Sequence, residues 1–315
     1  MVPHSREFPT FNYNFDREAS ALKSTKQLRT IPSKSSKTLL AATWNLTNLG
    51  CQDRSPDDFR LIAEVIGWFD LIAIQEISED LDHLRYLMGL LPASYSFVIS
   101  DIGGNRERAG FIYDSDKIQR LELSAEVAIP PGDHRYIRLK GVSGSFTGFD
   151  RNPYVTAFEA GELEFMAASV HLFYGSTSCR DEDRRALEAY GLARWASQRM
   201  KSKGSYSQNI LLLGDFNLPS LDSSSNVYRA LKAKGLMLPE HSTSIGSNLH
   251  GDKHYDQISF HMGRMESYYT GKSGVFDFDH EPFFEEAWKI GREYFDDAVK
   301  YHIADHRPVW IEFEV

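Results

Sequence analysis

Asp215 and Asn217 stand two residues apart, directly after the apolar run Ile210-Leu211-Leu212-Leu213-Gly214. On an extended segment residues two apart project to the same side, so one negative oxygen and one neutral amide can converge on a single ligand. That suits a phosphate and a hard cation. Gly-Asp after a strand is also ordinary turn chemistry, and the motif gains its weight from company. Trp44-Asn45, Gln75-Glu76, Ser169-Val170-His171, His254-Tyr255-Asp256-Gln257 and Ala304-Asp305-His306 each set short polar groups against an apolar stretch. Carboxylates and amides offer the oxygen ligands that magnesium prefers. The histidines can hold or release a proton near neutral pH.

The elements that carry these groups are legible from periodicity. Consecutive apolar residues bracketed by Gly214 and Pro219 mark a strand buried on both faces. Residues 38–45 read as a second such strand. Ser55-Pro56-Asp57-Asp58 offers an N-cap, a proline at the first helical position and acids in the first turn, and Phe59, Ile62, Ala63 and Ile66 follow at helical spacing. Residues 70–76 then form another strand, so strand, helix and strand make a crossover unit. Strands are expected at 109–113, 117–123, 154–158, 163–170, 255–260 and 309–315, with helices at 178–200 and 227–234, the latter stopping at Gly235.

Residues 1–37 are polar, with a basic second half, and read as an N-terminal extension packed on or tethered to a domain spanning 38–315. Within that domain, about 261–303 is an insertion rich in aromatic and acidic residues. Its segment 282–302 is expected to be a helix that packs Phe284, Trp288 and Phe295 on the core rather than presenting them to a ligand.

Composition narrows the class of protein. The 315 residues are 42% hydrophobic and 25% charged, which is ordinary for a folded chain, and no apolar run approaches the roughly 18 residues of a membrane span. Two cysteines, Cys51 and Cys179, exclude a disulfide framework. With no apolar leader in residues 1–12, the expected location is cytoplasmic. A formal net charge of −9 argues against coating nucleic acid through a basic surface, but not against a nuclease whose metal supplies the positive charge locally.

Taken in this order, the polar strand ends resemble those of the endonuclease/exonuclease/phosphatase family of metal-dependent phosphoesterases, which includes DNase I. The resemblance covers roughly residues 38–315. It implies an α/β fold, a four-layer sandwich of two packed mixed β-sheets flanked by helices, with the site at one end of the cleft between the sheets. It also implies Mg²⁺ or Mn²⁺ held by Glu76, with Asn45 beside it and Asp305 arriving from the far end of the chain. Asp215 would orient and deprotonate water, Asn217 would donate to the phosphate, and His306 would pair with Asp256. Residues 105–111 resemble the segment whose glutamate supports the other histidine, which pairs Glu107 with His171. Residues 149–154 resemble the segment whose arginine approaches the scissile phosphate, making Arg151 the expected phosphate clamp and Arg106 the second. Which histidine protonates the leaving oxygen stays open.

One departure stands out. DNase I-type enzymes carry an arginine two positions beyond the metal-binding glutamate, and here that place is Ser78. A minor-groove contact is then missing. The first expectation is nonetheless a phosphodiesterase acting on nucleic acid, DNA before RNA, as an endonuclease. A phosphatase or phospholipid-headgroup phosphoesterase on the same fold ranks second, and a catalytically silent binding module last.

Overall fold

Leu39 and Ala41 face one way from their strand while Leu40, Ala42, Trp44 and Leu46 face the other, and all six are fully buried. A strand apolar on both faces must lie between two layers, which is why its sequence reads as an uninterrupted run. The computed structural model describes residues 11–261 and 264–315; the first ten residues of the expected extension lie outside the described residues. The chain runs α1 (Phe15–Leu28), β1 (Thr38–Leu49), α2 (Pro56–Ile66), β2 (Leu71–Ser78), α3 (Asp82–Met88), β3 (Tyr95–Ile99), β4 (Glu107–Asp114) and β5 (Gln119–Glu126). It continues through β6 (Tyr154–Ala160), β7 (Leu163–His171), α4 (Cys179–Lys201), β8 (Ile210–Asp215), α5 (Asn226–Lys232), β9 (Leu236–Met237) and β10 (Asp256–His261). It ends with β11 (Tyr269–Val275), α6 (Glu285–Ile290), α7 (Arg292–His302) and β12 (Val309–Glu314).

Among the described residues these strands form two six-stranded sheets, ordered β11-β12-β1-β2-β4-β3 and β5-β6-β7-β8-β10-β9. Each sheet has one parallel pair at its centre, β1 with β2 and β7 with β8, and antiparallel pairs on either side. The parallel pairs need crossovers, supplied by α2 and α4. Helix α2 starts as its sequence predicts, with Ser55 and Asp58 forming a reciprocal capping box and Pro56 at the first position. Leu39, Ala41, Leu71, Phe111, Leu211 and Leu213 pack between the sheets. A second core lies under α1, α2 and α7, and a third under α4 and α5. The layers run helix, sheet, sheet, helix.

The structure adds α3, β3, β9 and β11 to the expected elements, and two further segments differ in detail. Residues 282–302 form two helices, because Gly291 between them sits at φ 149° and ψ 165°, which no helix accommodates. Residues 15–28 are helical, and Ala19, Ala21 and Leu22 belong to the core over the first sheet. The buried Glu18 carboxylate accepts from the Phe284 backbone N–H at 2.7 Å, so the N-terminal helix also anchors the insertion. Phe276, Phe278, Phe283, Phe284 and Phe295 are fully buried. Each such side chain contributes about 1.5–3 kcal/mol by burial, which makes the insertion part of the core.

Candidate active site

The cleft positions alternate along each central strand and change character at the same level. On β1 the inward side chains run Leu39, Ala41, Thr43, Asn45; on β2, Leu71, Ala73, Gln75; on β7, Ala167, Ser169, His171; and on β8, Leu211, Leu213, Asp215. Register places Asn45 beside Gln75, and Asp215 between His171 and Asp256. Below the site a buried polar ladder joins the sheets: Thr43 Oγ1 donates to Gln75 Oε1 at 3.3 Å, and Gln75 Nε2 to Ser169 Oγ at 3.0 Å. Above it, Asn45 Nδ2 spans the cleft, donating to Glu76 Oε1 at 2.9 Å and to Asp215 Oδ2 at 3.3 Å.

At this level the backbone is strained, at register shifts within β1 and β2 and just past the end of β8. Glu76, Thr47, Asn48 and Asn217 have φ of 57°, 46°, 53° and 49°, a region that costs non-glycine residues about 1 kcal/mol or more each. Such strain persists where surrounding contacts over-determine it. Asn48 N–H donates to Glu76 Oε2 at 3.0 Å, and Thr47 N–H to Asn45 Oδ1 at 3.0 Å. Thr47 Oγ1 donates to Asp305 Oδ1 at 2.6 Å and faces the Asp305 N–H at 3.0 Å. The buried Arg54 donates through Nη2 to the carbonyls of Leu46, Thr47 and Ile303, tying the end of β1 to the turn that carries Asp305. Sequence reading passed over Thr47, Asn48 and Arg54; the signal for the first two was the polar run continuing past Asn45.

The two histidines occupy opposite electrostatic settings. His306 Nδ1 lies 2.7 Å from Asp256 Oδ2, and its Nε2 is 3.9 Å from both Asp215 Oδ2 and Asp305 Oδ1. Burial works against its charged form, but Asp256 and Asp215 outweigh it and hold the pKa well above the ordinary histidine value. His171 Nε2 is 3.5 Å from Asp215 Oδ2. Burial, then the charges of Arg151 and His306, hold His171 well below that value. Burial pushes Asp215 up to about 6 against the pull of His306. Asp305 falls to about 2, because His306 and Lys300 overcome its burial.

The expected Glu107–His171 pair is close but not hydrogen-bonded. His171 Nδ1 lies 3.6 Å from Glu107 Oε1 and has no hydrogen-bond partner among the described residues. Arg151 takes that oxygen instead, donating from Nη1 at 2.6 Å. Its Nε and Nη2 serve the carbonyls of His171 and Leu172 at 3.0 and 2.8 Å, and the residue is 7% exposed. A guanidinium so engaged is a brace behind the site rather than a phosphate clamp, which corrects the expected role of Arg151. Arg106 is exposed and paired with Glu79, so it faces solvent rather than the centre. Asn217 donates from its side chain to the Leu172 carbonyl at 2.8 Å and from its backbone to Asp215 Oδ1 at 2.8 Å, leaving one amide N–H for a ligand.

The donor set fits a hard divalent cation. Glu76, Asp215, Asp256, Asp305 and Glu107 crowd negative charge into one region, and the buried Asn48 Oδ1 has no partner among the described residues. One ligand atom each from Glu76, Glu107 and His171 lies within 4.8 Å of the others, and the same holds for Asp215, Asp256 and His306. Asn45 turns its amide N–H₂ toward Glu76 and gives its oxygen to Thr47, so as placed it orients Glu76 and would ligate only after turning over. Asp305 reaches this corner through Thr47 and stands outside both three-residue groupings.

Two six-stranded mixed sheets packed face to face between helices, with carboxylates, amides and histidines gathered at one end, define the DNase I-like fold of endonuclease/exonuclease/phosphatase proteins. Neither a sequence-family model nor a curated protein matches the chain, so the fold carries the comparison. The chain is similar to a mannosyl-6-phosphatase from Bacteroides thetaiotaomicron, with TM-score 0.58 and 18% identity over 88% of this chain and 100% of that one. It is similar to D. rerio TDP2 complexed with a single-strand DNA product, with TM-score 0.58 and 16% identity over 88% and 99%. The human Nocturnin catalytic domain with bound sulfate follows at TM-score 0.55 and 13% identity over 90% and 96%.

Proposed function

We propose that this chain is a divalent-metal-dependent phosphoesterase of the endonuclease/exonuclease/phosphatase family, hydrolysing phosphodiesters of nucleic acid, DNA first. The observation that carries the reading is the position of Asp215. It is buried, within 3.5 Å of His171 Nε2 and 3.9 Å of His306 Nε2, and bonded through Asn45 to Glu76. One carboxylate thus joins the proton-handling groups to the oxygen-ligand groups.

In this reading Asp215 orients a water and accepts its proton, a role served by a carboxyl group lifted toward neutrality. Asn217 donates its remaining amide N–H to a phosphoryl oxygen. His306, kept charged by Asp256 and Asp215, stabilises the charge that grows there and supplies the proton for the leaving oxygen. His171, kept neutral, holds a phosphoryl oxygen. Mg²⁺ or Mn²⁺ on Glu76, with Asp305 and Asn45 as neighbouring oxygen groups, would supply positive charge to the phosphoryl group.

The test is hydrolysis of plasmid, single-stranded DNA, RNA and bis(p-nitrophenyl) phosphate with Mg²⁺, Mn²⁺ or EDTA. Turnover is expected with metal, and Asp215→Asn should lower kcat by about 10²–10⁴-fold without unfolding the protein. Turnover surviving in EDTA would overturn the metal mechanism. Likeness to a mannosyl-6-phosphatase supports a second reading as a phosphomonoesterase. Release of inorganic phosphate from sugar phosphates, with polymers untouched, would select it.

A further inference from the structure

Two tyrosines stand beside the reacting groups without a part in the chemistry above. The ring of Tyr255, which precedes β10, lies 6.1 Å from that of His306, centroid to centroid, and is tilted by 37°. Tyr174, three residues past His171, meets the Tyr255 ring edge-on at 6.2 Å and 78°. Tyr255 is half-buried and Tyr174 is 39% exposed, so the row His306, Tyr255, Tyr174 leads outward from the centre to solvent.

The outer ring sits on a fixed backbone. Buried Arg185 on α4 donates from Nε to the Phe173 carbonyl at 2.9 Å and from Nη2 to the carbonyls of Tyr174 and Ser176. Its Nη1 donates at 3.1 Å to the carbonyl of Asn217. The same guanidinium lies 5.1 Å from the centre of the Tyr174 ring. One arginine therefore holds both the loop bearing Tyr174 and the residue proposed to grip the phosphate. An aromatic side chain fixed in this way has little freedom left to lose when a ligand covers it.

We propose that Tyr174 and Tyr255 form a stacking subsite for a nucleobase adjoining the scissile phosphate; this rests on the nucleic-acid reading of the site. The Arg185 guanidinium lies against the Tyr174 ring, and the Tyr255 ring neighbours that of His306. A cation draws on the electron density of a ring face, which favours a heteroaromatic plane as partner over the C–H face of a sugar. Every base has such a plane, so the subsite distinguishes nucleotides from other phosphates but not one base from another.

The test is equilibrium binding to the full chain in Mg²⁺, with thymidine 5′-monophosphate, adenosine 5′-monophosphate, 2-deoxyribose 5-phosphate and mannose 6-phosphate as ligands. Both nucleotides should bind at least about fivefold more tightly than either sugar phosphate, the lower end of what one stacked base contributes. Tyr174→Ala should erase that difference, Tyr174→Phe should keep it, and sugar-phosphate affinity should stay unchanged in both. Equal binding of nucleotides and sugar phosphates to the unmodified protein overturns the proposal. So does loss of mannose 6-phosphate affinity in Tyr174→Ala, or absence of binding by all four ligands. Because binding is read without turnover, a protein that favours nucleotides but cleaves no phosphodiester would retract the hydrolytic reading and leave the subsite standing; cleavage without a base preference would do the reverse.

Discussion

At the scale of single residues, the structure separates groups that face a substrate from groups that hold them. Arg151 belongs to the second kind: buried, and committed to Glu107 and two carbonyls. Removing one partner of a buried ion pair costs about 3–5 kcal/mol. Arg151→Met should therefore lower unfolding stability by about that amount in urea titration; a clamp on the phosphate would instead raise KM and leave stability alone. Residue type alone does not reveal this difference. An arginine beside a candidate site looks the same in sequence whether its donors point to solvent or to the carbonyls behind a neighbouring strand. Asp215 was legible because it follows an apolar strand that fixes where it must emerge, and His306 through its place in the ordered series of polar motifs; the structure brings both to the cleft. Thr47 was not legible: it lies at a register shift within β1, and a polar residue there reveals its part only where its hydroxyl meets Asp305.

At the scale of elements, strands were easier to read than helices, for a physical reason. A strand buried on both faces is apolar throughout, as in residues 210–213, whereas helix α1 buries Glu18, Ala19, Ala21, Leu22 and Thr25. The spacing is helical, but glutamate and threonine stand where apolar residues would advertise it, and Glu18 is buried to cap Phe284. In the same way the aromatic run before Gly291 looks continuous with the helix after it, and only the backbone at that glycine parts them. Gly214 is the opposite case, a residue whose need is local. It lies on β8 one residue before Asp215, with φ 154°, and a Cβ there would sit 2.0 Å from the Val170 carbonyl oxygen on β7. Gly214→Ala should part these paired strands where His171 and Asp215 face each other. The expected loss is about 3 kcal/mol or more in thermal or urea unfolding, with turnover falling further than stability. A variant as stable as the parent would show that the strand pair yields more readily than its packing implies.

At the scale of the whole molecule, the crowding of carboxylates sets how stability depends on pH. Burial raises Glu107 to about 7 against the pull of Arg151, and Glu188 to about 7 against two backbone N–H donors. Asp215 is raised to about 6. In the unfolded chain such groups release their protons near pH 4. The folded protein binds more protons than the unfolded one between those limits, so this stabilisation is complete below about pH 4 and is lost as pH rises through 6 and 7. His306, also raised, has the same sign; Asp305, lowered to about 2, acts in the other direction in stronger acid, and His171 and His241, lowered by burial, oppose it only up to about pH 6.5, against the larger set of raised groups. The metal-free protein should therefore melt at a lower temperature at pH 7.5 than at pH 5 in calorimetry. Added Mg²⁺ should recover more of the midpoint at pH 7.5, where the carboxylates are ionised and free to bind it. A midpoint that climbs with pH, or a magnesium effect larger at pH 5, would mean that these acids are not the crowded groups their positions indicate.

Strand β12 lies against β1, and Thr47 is bonded to Asp305, so residues about 260 positions apart close the corner where Glu76 sits. During synthesis on a ribosome, the carboxylate of Asp305 emerges only after both central parallel pairs and every helix have been translated. A chain that stops short of residue 305 would therefore hold both central strand pairs while the corner around Glu76 still lacked its closing carboxylate.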